Sequence, residues 1–257
     1  MFDAIKNLFG GGKAPAIEAS SILGRKPAQE DSYLATEPRH GMRLVFVADG
    51  VGGHGHGDWA SQTVVEVFRG AFSSIEADAD IPQFLRQTAM QAARTVLQKS
   101  IEAPEFKNCG TTVSGFMIKG DSYYTINIGD SRVYLWCDSM LCRETHDQSI
   151  VQELLDRGEI TEDEAFTHPK RNIMTSAIGQ SLDLMRVDIN GPRTINGGEI
   201  LMACTDGVHD ALMDNQILML MNAHHGDEGL AGIITSASYN AGGRDNITAV
   251  IYRHPGA

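Results

Sequence analysis

Four short apolar segments of the sequence each end in an aspartate or lie beside one. They are strand-like and span residues 44–53 (LVFVADGVGG), 124–132 (YTINIGDSR), 200–207 (ILMACTDG) and 243–252 (GRDNITAVIY). An acidic pair, Glu30-Asp31, lies earlier in the chain. Strands that end at one edge of a sheet gather negative charge there, and Mg²⁺, Mn²⁺ and Ca²⁺ prefer oxygen ligands that carry such charge. The pattern predicts a carboxylate-built site for divalent cations on a sheet.

A carboxylate site of this kind is suited to the hydrolysis of phosphate monoesters, which are very stable dianions. Two bound metal ions lower the pKa of a bridging water and act as Lewis acids on the phosphate oxygens. Gly50, Gly52 and Gly53 would let the backbone approach the ions closely. We expect no Cys-x5-Arg nucleophile motif in the chain, and therefore direct attack by water rather than a covalent phosphoenzyme.

The composition is that of an ordinary globular protein. The chain has 257 residues, 42% of them hydrophobic and 21% charged, which allows a substantial core. Its formal net charge of -12 argues against binding to nucleic acid, because such binding relies on a basic surface. The sequence contains no apolar run of about 18 residues that would predict a membrane span, and no signal peptide pattern. The cysteines (Cys109, Cys137, Cys142 and Cys204) form no Cys-x-x-Cys pair, so we assign a reducing cytoplasm.

The elements that position the first acidic residues can be predicted from periodicity. The apolar run at 43–48 predicts a buried strand, and the glycine-rich stretch 50–57 predicts a loop. Residues 58–72 have the spacing of an amphipathic helix. A second helix is predicted to begin after Asp80 as its N-cap, with Pro82 in its first turn.

Strand patterns dominate the middle of the chain, and the order is not an alternation of strand and helix. Strands are predicted at 111–118, 122–128, 132–136, 200–204 and 247–252, and helices at 147–165, from about Asp214, and at 227–241. This order predicts an α+β layered architecture in which antiparallel sheets pack together with helices outside.

Residues 1–16 are predicted to be an N-terminal tail, and residues 17–254 a single domain. Phe2, Ile5 and Leu8 recur at roughly helical spacing, and the glycines at 10–12 would end any helix. The tail is either a small docking helix or membrane toe-hold, or a frayed terminus, since one or two helical turns are marginal alone.

The order of motifs resembles the metal-dependent protein phosphatases of type 2C. The motifs are G-x-K-x-x-x-E-D, V-A-D-G-V-G-G-H, C-G-T-T, I-G-D-S-R, T-D-G and D-N-I-T, and residues 145–179 resemble the bacterial branch. The resemblance extends from about Ser21 to Tyr252. It implies a four-layer α-β-β-α sandwich, two Mn²⁺ or Mg²⁺ ions at one end of it, and hydrolysis of phosphoserine and phosphothreonine by a metal-bridging water.

The resemblance also assigns roles to individual carboxylates. It implies that Asp49 bridges both metals, helped by the Gly50 carbonyl, and that Glu30 reaches one of them. Asp31 would hold metal-bound waters. Asp49, Asp31 and, in the second half of the chain, Asp206 are therefore the predicted catalytic residues.

The remaining predicted metal ligands lie later in the sequence. Asp206 and Asp245 would bind the second metal. Asp130, in the Asp-Ser-Arg motif, matches the ligand of a weaker third metal. It could instead be structural and orient Arg132, and both interpretations stay open.

Two departures from the family pattern affect the substrate side, at Lys26 and at Gln148. Lys26 stands where the family usually has an arginine that binds phosphate, and Arg25 beside it could take that role instead. Gln148 stands where bacterial relatives often have histidine, and the sequence suggests no mechanism for that change. Residues 145–175 are predicted to form a flap over the rim of the cleft.

The leading hypothesis is a metal-dependent serine/threonine protein phosphatase, monomeric and cytoplasmic, that acts on phosphorylated proteins and opposes a serine/threonine kinase. One alternative is a non-catalytic phosphoprotein-binding regulator on the same fold, which should have lost metal carboxylates. Others are an enzyme of a partner-switching sigma-factor pathway and a small-molecule phosphatase. The sequence names neither the kinase nor the substrate.

Overall fold

Two antiparallel β-sheets form the centre of the structure, a computed structural model that describes residues 16–52 and 56–255. In chain order, their strands are β1 (Ala16–Ile22), β2 (Asp31–Ala35), β3 (Met42–Val51), β4 (Gly110–Thr111), β5 (Val113–Lys119), β6 (Ser122–Ile128), β7 (Arg132–Cys137), β8 (Met140–Arg143), β9 (Asp188–Thr194), β10 (Ile200–Cys204) and β11 (Ile247–Arg253).

The strand order divides the chain between the two sheets. The first sheet has the order β2-β3-β5-β6-β9, with β4 paired to β3, and the second has the order β1-β11-β10-β7-β8. Neighbouring strands are antiparallel throughout. The prediction of antiparallel sheets is confirmed.

Helices lie outside the two sheets or in the segments that connect their strands. In chain order they are α1 (Gly57–Ser73), α2 (Ile81–Glu102), α3 (Ile150–Asp156), α4 (Glu162–Phe166), α5 (Asp206–His209), α6 (Asp214–His224) and α7 (Leu230–Asn240). Helices α1 and α2 pack on the first sheet, whereas α6 and α7 pack on the second.

The core between the two sheets is apolar. Val45 and Phe116 of the first sheet meet Leu201 and Val250 of the second, and all four side chains are fully buried. Burial of each such side chain contributes about 1.5–3 kcal/mol relative to exposure. This inner core fixes the distance and angle between the sheets.

A second and a third core lie between the sheets and their helices. Phe68 of α1 and Leu85 of α2 pack against the first sheet, and Ile217 of α6 and Ile234 of α7 pack against the second. The predicted four-layer α-β-β-α sandwich is therefore confirmed.

The N-terminus of α2 follows its sequence signals. The Asp80 side chain accepts a hydrogen bond from the Gln83 amide at 2.9 Å, which caps the helix, and Pro82 lies in the first turn where no amide donor is needed. The helix predicted at 58–72 is α1, which begins one residue earlier and ends one residue later.

The helix predicted at 147–165 is wrong in one respect, because this stretch forms two short helices. Gly158 has φ of +67°, a left-handed conformation that ends the first helix, α3. Thr161 then caps α4 through a capping box with Glu164. Charged residues around Gly158 keep a helical composition, so periodicity alone did not reveal the break.

Strand β9 was not predicted, and its position explains why. It is the edge strand of the first sheet, most of its residues are exposed, and it contains Pro192. Proline is tolerated at a sheet edge because no ladder hydrogen bond is needed there. Such a strand has neither alternation nor an apolar run. The sequence patterns did not predict strands β1, β2 and β8 either.

The stretch of residues 1–9, for which a docking helix, a membrane toe-hold and a frayed terminus were the alternatives, lies outside the described residues. Ala16, which the predicted tail included, is the first residue of β1. Among the residues that the structure describes, none of the helices is both long and apolar enough to cross a lipid bilayer.

Candidate functional site

Asp31 and Asp49 lie side by side at one end of the first sheet. Strand β2 begins at Asp31, and the antiparallel register pairs that residue with Asp49 near the end of β3. Both side chains are buried, with 7% and 8% of their surface exposed. Two carboxylates on adjacent strands in a buried place repel each other unless a cation or a proton compensates the charge.

Two consecutive threonines fix the backbone of Asp49. The Asp49 amide donates to Thr112 Oγ1 at 2.9 Å, and the Asp49 carbonyl accepts from the Thr111 hydroxyl at 2.9 Å. Thr112 Oγ1 also lies 2.8 Å from the hydroxyl of Ser131, beside Asp130. The backbone is thereby satisfied, and the Asp49 carboxylate makes none of these bonds.

The Asp31 carboxylate joins the two sheets. Its Oδ2 accepts hydrogen bonds from the hydroxyls of Thr205 at 2.8 Å and Thr248 at 2.7 Å, which lie on the second sheet or directly after one of its strands. Burial raises the pKa of Asp31 to about 7, although the two hydroxyl bonds lower it and Asp245 nearby raises it. The Asp31 carboxyl group is therefore close to its protonation midpoint at neutral pH.

Asn246 holds the loop that carries Glu30. Its Oδ1 accepts from the Glu30 amide at 2.8 Å, and its Nδ2 donates to the carbonyls of Leu23 at 2.9 Å and Ala28 at 3.0 Å. One side chain of the D-N-I-T motif therefore fixes the position of the G-x-K-x-x-x-E-D motif.

Gly50 lies where three backbone segments meet. A Cβ at this position would stand 2.2 Å from the Gly57 carbonyl oxygen and 2.6 Å from that of Glu30, so only glycine fits. A Cβ on Gly57 would stand 2.9 Å from Glu30 Oε1. Because neither glycine has a side chain, the Glu30 carboxylate and these backbone oxygens can lie close together.

Asp206 and Asp130 bring further negative charge to the same end of the sandwich. Asp206 is the first residue of α5, directly after β10, and Asp130 follows β6. Burial first, and then the neighbouring carboxylates, raise the pKa values of Asp49 and Asp206 well above the usual range. Burial and then Asp147 raise the pKa of Asp130 to about 7. The site therefore contains more buried carboxyl groups than its hydrogen bonds alone stabilise in the charged form.

Lys26 is directed at this acidic cluster. Its Nζ lies 2.7 Å from Asp245 Oδ1. Burial lowers the pKa of Lys26, but the bond to Asp245 and the fields of Asp49 and Asp206 more than offset this and raise it. The Arg25 guanidinium instead lies over the ring of Tyr239, 5.5 Å from its centroid.

A cavity of about 330 Å³ adjoins the cluster. Asp130 and Asp206 line it, together with Val151 and Leu155 of α3 and Phe166 of α4. Helices α3 and α4 belong to the predicted flap, which is therefore a wall of this cavity.

The sequence profile described as Protein phosphatase 2C matches residues 20–226. The chain belongs to the protein phosphatase 2C family. One relative is the serine/threonine protein phosphatase PstP of Mycobacterium tuberculosis, 32% identical over 226 residues. That alignment covers 86% of this chain but only 41% of PstP, so the chain spans less than half the length of that relative.

Solved structures of the family superimpose closely on this chain. The serine/threonine phosphatase Stp1 of Staphylococcus aureus has a TM-score of 0.87 and 25% identity, over 98% of this chain and 99% of Stp1. The catalytic domain of PstP in complex with two manganese ions has a TM-score of 0.81 and 28% identity, over 93% of this chain and 97% of that domain. The family resemblance predicted from the motifs is confirmed.

The residues of the family motifs fit a divalent metal in three respects. The donors are oxygens, as Mn²⁺ and Mg²⁺ prefer. Asp206 Oδ1 is buried and finds no hydrogen-bond partner among the residues that the structure describes, and the absence of a Cβ at Gly50 lets the carbonyl oxygens of Gly57 and Glu30 approach its backbone. Within residues 16–52 and 56–255, however, the structure contains no group of three or more His, Cys, Asp or Glu side chains that are arranged to hold a metal ion. The carboxylates are neighbours rather than a closed shell of ligands.

The roles predicted for individual residues therefore stay predictions. The structure brings the predicted acidic residues to one end of the sandwich, and places Lys26 but not Arg25 toward them. The residues that carry these predictions are Lys26, Arg25, Glu30, Asp31, Asp49, Gly50, Asp130, Asp206 and Asp245.

The sequence does contain one Cys-x5-Arg spacing, from Cys137 to Arg143, contrary to the expectation of a chain without a covalent nucleophile motif. In the structure these residues lie on β7 and β8, and Cys137 pairs with Met140 across a tight hairpin. The intervening backbone is committed to strand pairing and cannot wrap a phosphate. Attack by water remains the prediction.

Gln148, the departure that the sequence left unexplained, supports the loop before Asp130. Its Oε1 accepts from the Gly129 amide at 2.9 Å, and its Nε2 donates to Asp188 Oδ2 at 2.9 Å. Gln148 is almost fully buried, so these bonds replace water that cannot reach the loop.

His209 is a further residue that the sequence pattern did not reveal. It is buried in α5, and its Nε2 lies 3.1 Å from the Asp130 carbonyl oxygen. A carbonyl only accepts, so Nε2 carries the hydrogen. Burial and the nearby Arg132 and Arg143 lower the pKa of His209 well below its usual range, which keeps it neutral.

Proposed function

We propose that this chain is a metal-dependent serine/threonine protein phosphatase that hydrolyses phosphoserine and phosphothreonine. The observation that carries the proposal is the meeting of buried Asp31 and Asp49 of the first sheet with Asp206 after a strand of the second, where burial and mutual repulsion raise the pKa values. Family membership and the named activities of the relatives support the same conclusion.

Asp49, Glu30 and the Gly50 carbonyl would hold one Mn²⁺ or Mg²⁺ ion, and Asp49, Asp206 and Asp245 the other. When bound, these ions supply positive charge and acidify water at neutral pH. Asp31, held by two threonine hydroxyls, would accept hydrogen bonds from water in the site. Asp130 would serve a weaker third ion, shared with Asp206.

Lys26 supplies the positive charge that the chain itself brings to the substrate. Its ammonium group lies at the edge of the acidic cluster and is partly exposed, so it would bind a phosphate dianion when Asp245 serves as a metal ligand. Lysine binds phosphate as a point charge, without the forked geometry of arginine.

We also infer that residues 17–254 act as one catalytic domain, monomeric and cytoplasmic, on proteins phosphorylated by a serine/threonine kinase. Free cysteines throughout the chain agree with a reducing compartment. Light scattering of the purified chain tests the monomer, and fractionation of cells tests the location.

Release of phosphate from a phosphothreonine peptide tests the proposed activity. We expect turnover with Mn²⁺, loss of turnover with excess chelator and recovery after metal is restored. Asp49→Asn should be inactive, whereas Asp78→Asn, a matched change at an exposed aspartate between α1 and α2, should behave as the parent. If the Mn²⁺-loaded parent binds the peptide but releases no phosphate, the proposed phosphatase activity is refuted and a phosphoprotein-binding regulator is favoured.

A further inference from the structure

Two cysteines lie on the hairpin of β7 and β8 at the edge of the second sheet. Cys137 is the last residue of β7, and Cys142 is the third residue of β8. Both are free thiols. Neither contributes to the cluster of carboxylates, although Arg143, which follows Cys142, lines the cavity beside it.

The hairpin register places the two thiols on the same face as diagonal neighbours. Cys137 pairs with Met140, and Cys142 pairs with Leu135, and alternate residues of a strand share a face. The register therefore makes Cys137 and Cys142 the cysteines that face each other diagonally across this hairpin.

Accessibility separates these thiols from the other two in the chain. Cys142 is exposed and Cys137 half-buried, whereas Cys109 and Cys204 are buried. Oxidants reach exposed thiols first. Cys142 is therefore the thiol that a dissolved oxidant meets, and Cys137 is the thiol nearest to it.

We propose that Cys137 and Cys142 are a peroxide-sensitive pair that closes into a reversible intramolecular disulfide. The Cys142 thiolate attacks one oxygen of hydrogen peroxide, the O–O bond breaks, and one water leaves after protonation. Cys142 is then a sulfenic acid. The Cys137 thiolate attacks that sulfur, the S–O bond breaks, and a second water leaves as the S–S bond forms. Two electrons pass from the sulfurs to the peroxide.

The edge position of β8 allows the closure. A disulfide needs Cβ atoms about 4 Å apart, which is less than the usual diagonal separation of about 7 Å in a ribbon. Strand β8 has four residues and pairs with β7 alone, so it can move toward Cys137. The turn residues Asp138 and Ser139 have φ of +47° and +63°, the conformation of a tight hairpin.

Thiol titration and mass spectrometry of the whole chain test the proposal. After exposure to hydrogen peroxide in the presence of chelator, the denatured protein should titrate two of its four thiols and weigh two hydrogens less. A tryptic peptide pair joined by Cys137 and Cys142 should appear, and dithiothreitol should restore all thiols. Cys137→Ser should stop at a sulfenic acid on Cys142, which a dimedone probe captures.

Control variants locate the bond. Cys204→Ala, which removes a buried thiol, should lose two thiols to peroxide as the parent does, whereas Cys142→Ser should lose none. Four thiols remaining in the treated parent would overturn the proposal. So would a dimer joined through Cys142 on a non-reducing gel, or a sulfinic acid on Cys142 beside a free Cys137.

Discussion

Thr248 on the second sheet donates its hydroxyl hydrogen to Asp31 on the first sheet, at 2.7 Å and across 217 positions of the sequence. Thr205 donates to the same oxygen at 2.8 Å. The predicted catalytic carboxylate is thus oriented by residues from the other side of the sandwich. Several expected outcomes depend on this arrangement and on the carboxylates around it.

Thr248→Val should lower activity about tenfold or more, since loss of a group that orients a metal-site carboxylate commonly costs 10–100-fold. Valine keeps the shape but leaves Asp31 Oδ2 with one donor fewer. The measurement is kcat and the apparent Mn²⁺ affinity with a phosphothreonine peptide. Thr95→Val, which removes only a bond to the Gln91 carbonyl on the exposed face of α2, is the matched control. Equal kinetics in both variants would contradict the orienting role.

Asp206→Asn should lose turnover by roughly a hundredfold or more, because it removes charge that stabilises the reacting groups. In chelator the same variant should be more stable than the parent, because burial and carboxylate repulsion oppose the charged form of Asp206. Urea unfolding of the metal-free proteins measures this. A less stable metal-free variant would show that Asp206 holds the fold as well as the site.

Lys26→Ala should raise KM for a phosphopeptide more than it lowers kcat, if Lys26 binds phosphate in the ground state. Lys26→Arg should restore or improve binding, because a guanidinium can bind phosphate with two hydrogen bonds. Arg25→Ala is the neighbouring control and should leave KM unchanged, since Arg25 lies over Tyr239. The reverse result, with Arg25→Ala damaging and Lys26→Ala neutral, would assign the phosphate to Arg25.

The metal-free chain should become more stable as the pH falls from about 7 toward about 4. The folded pKa of Asp31 and that of Asp130 are raised to about 7 from an ordinary 3.8, so the folded state binds protons that the unfolded state does not. Stability is then lost as pH rises through about 4 to 7, by at most about 1.4 kcal/mol per pH unit for each group.

Urea unfolding in chelator across this pH range measures the slope. Asp31→Asn should flatten it, and saturating Mn²⁺ should reverse it, because the metal competes with protons for the carboxylates. Stability of the metal-free chain that increases steadily with pH would contradict the raised pKa values.

The sequence predicted strands β3, β5, β6, β7, β10 and β11 and the acidic residues beside them, because both are local signals. The buried run of β3 and the aspartate at its end are adjacent in the chain. The bonds from Thr205 and Thr248 to Asp31 are not local, and periodicity does not encode them. Strand β9 was missed because an edge position tolerates Pro192 and exposed residues, and the break at Gly158 was missed because the flanking composition stays helical.

The candidate site spans both sheets, so its affinity for a metal ion should depend on how the two sheets pack against each other. Glu30, Asp31 and Asp49 belong to the first sheet or the loop before it, whereas Asp206 and Asp245 flank β10 and β11 of the second. Either sheet alone therefore carries only half of the proposed ligands. An ion that binds both halves would resist any sliding or parting of the inner core, and its binding free energy would add to the docked state alone.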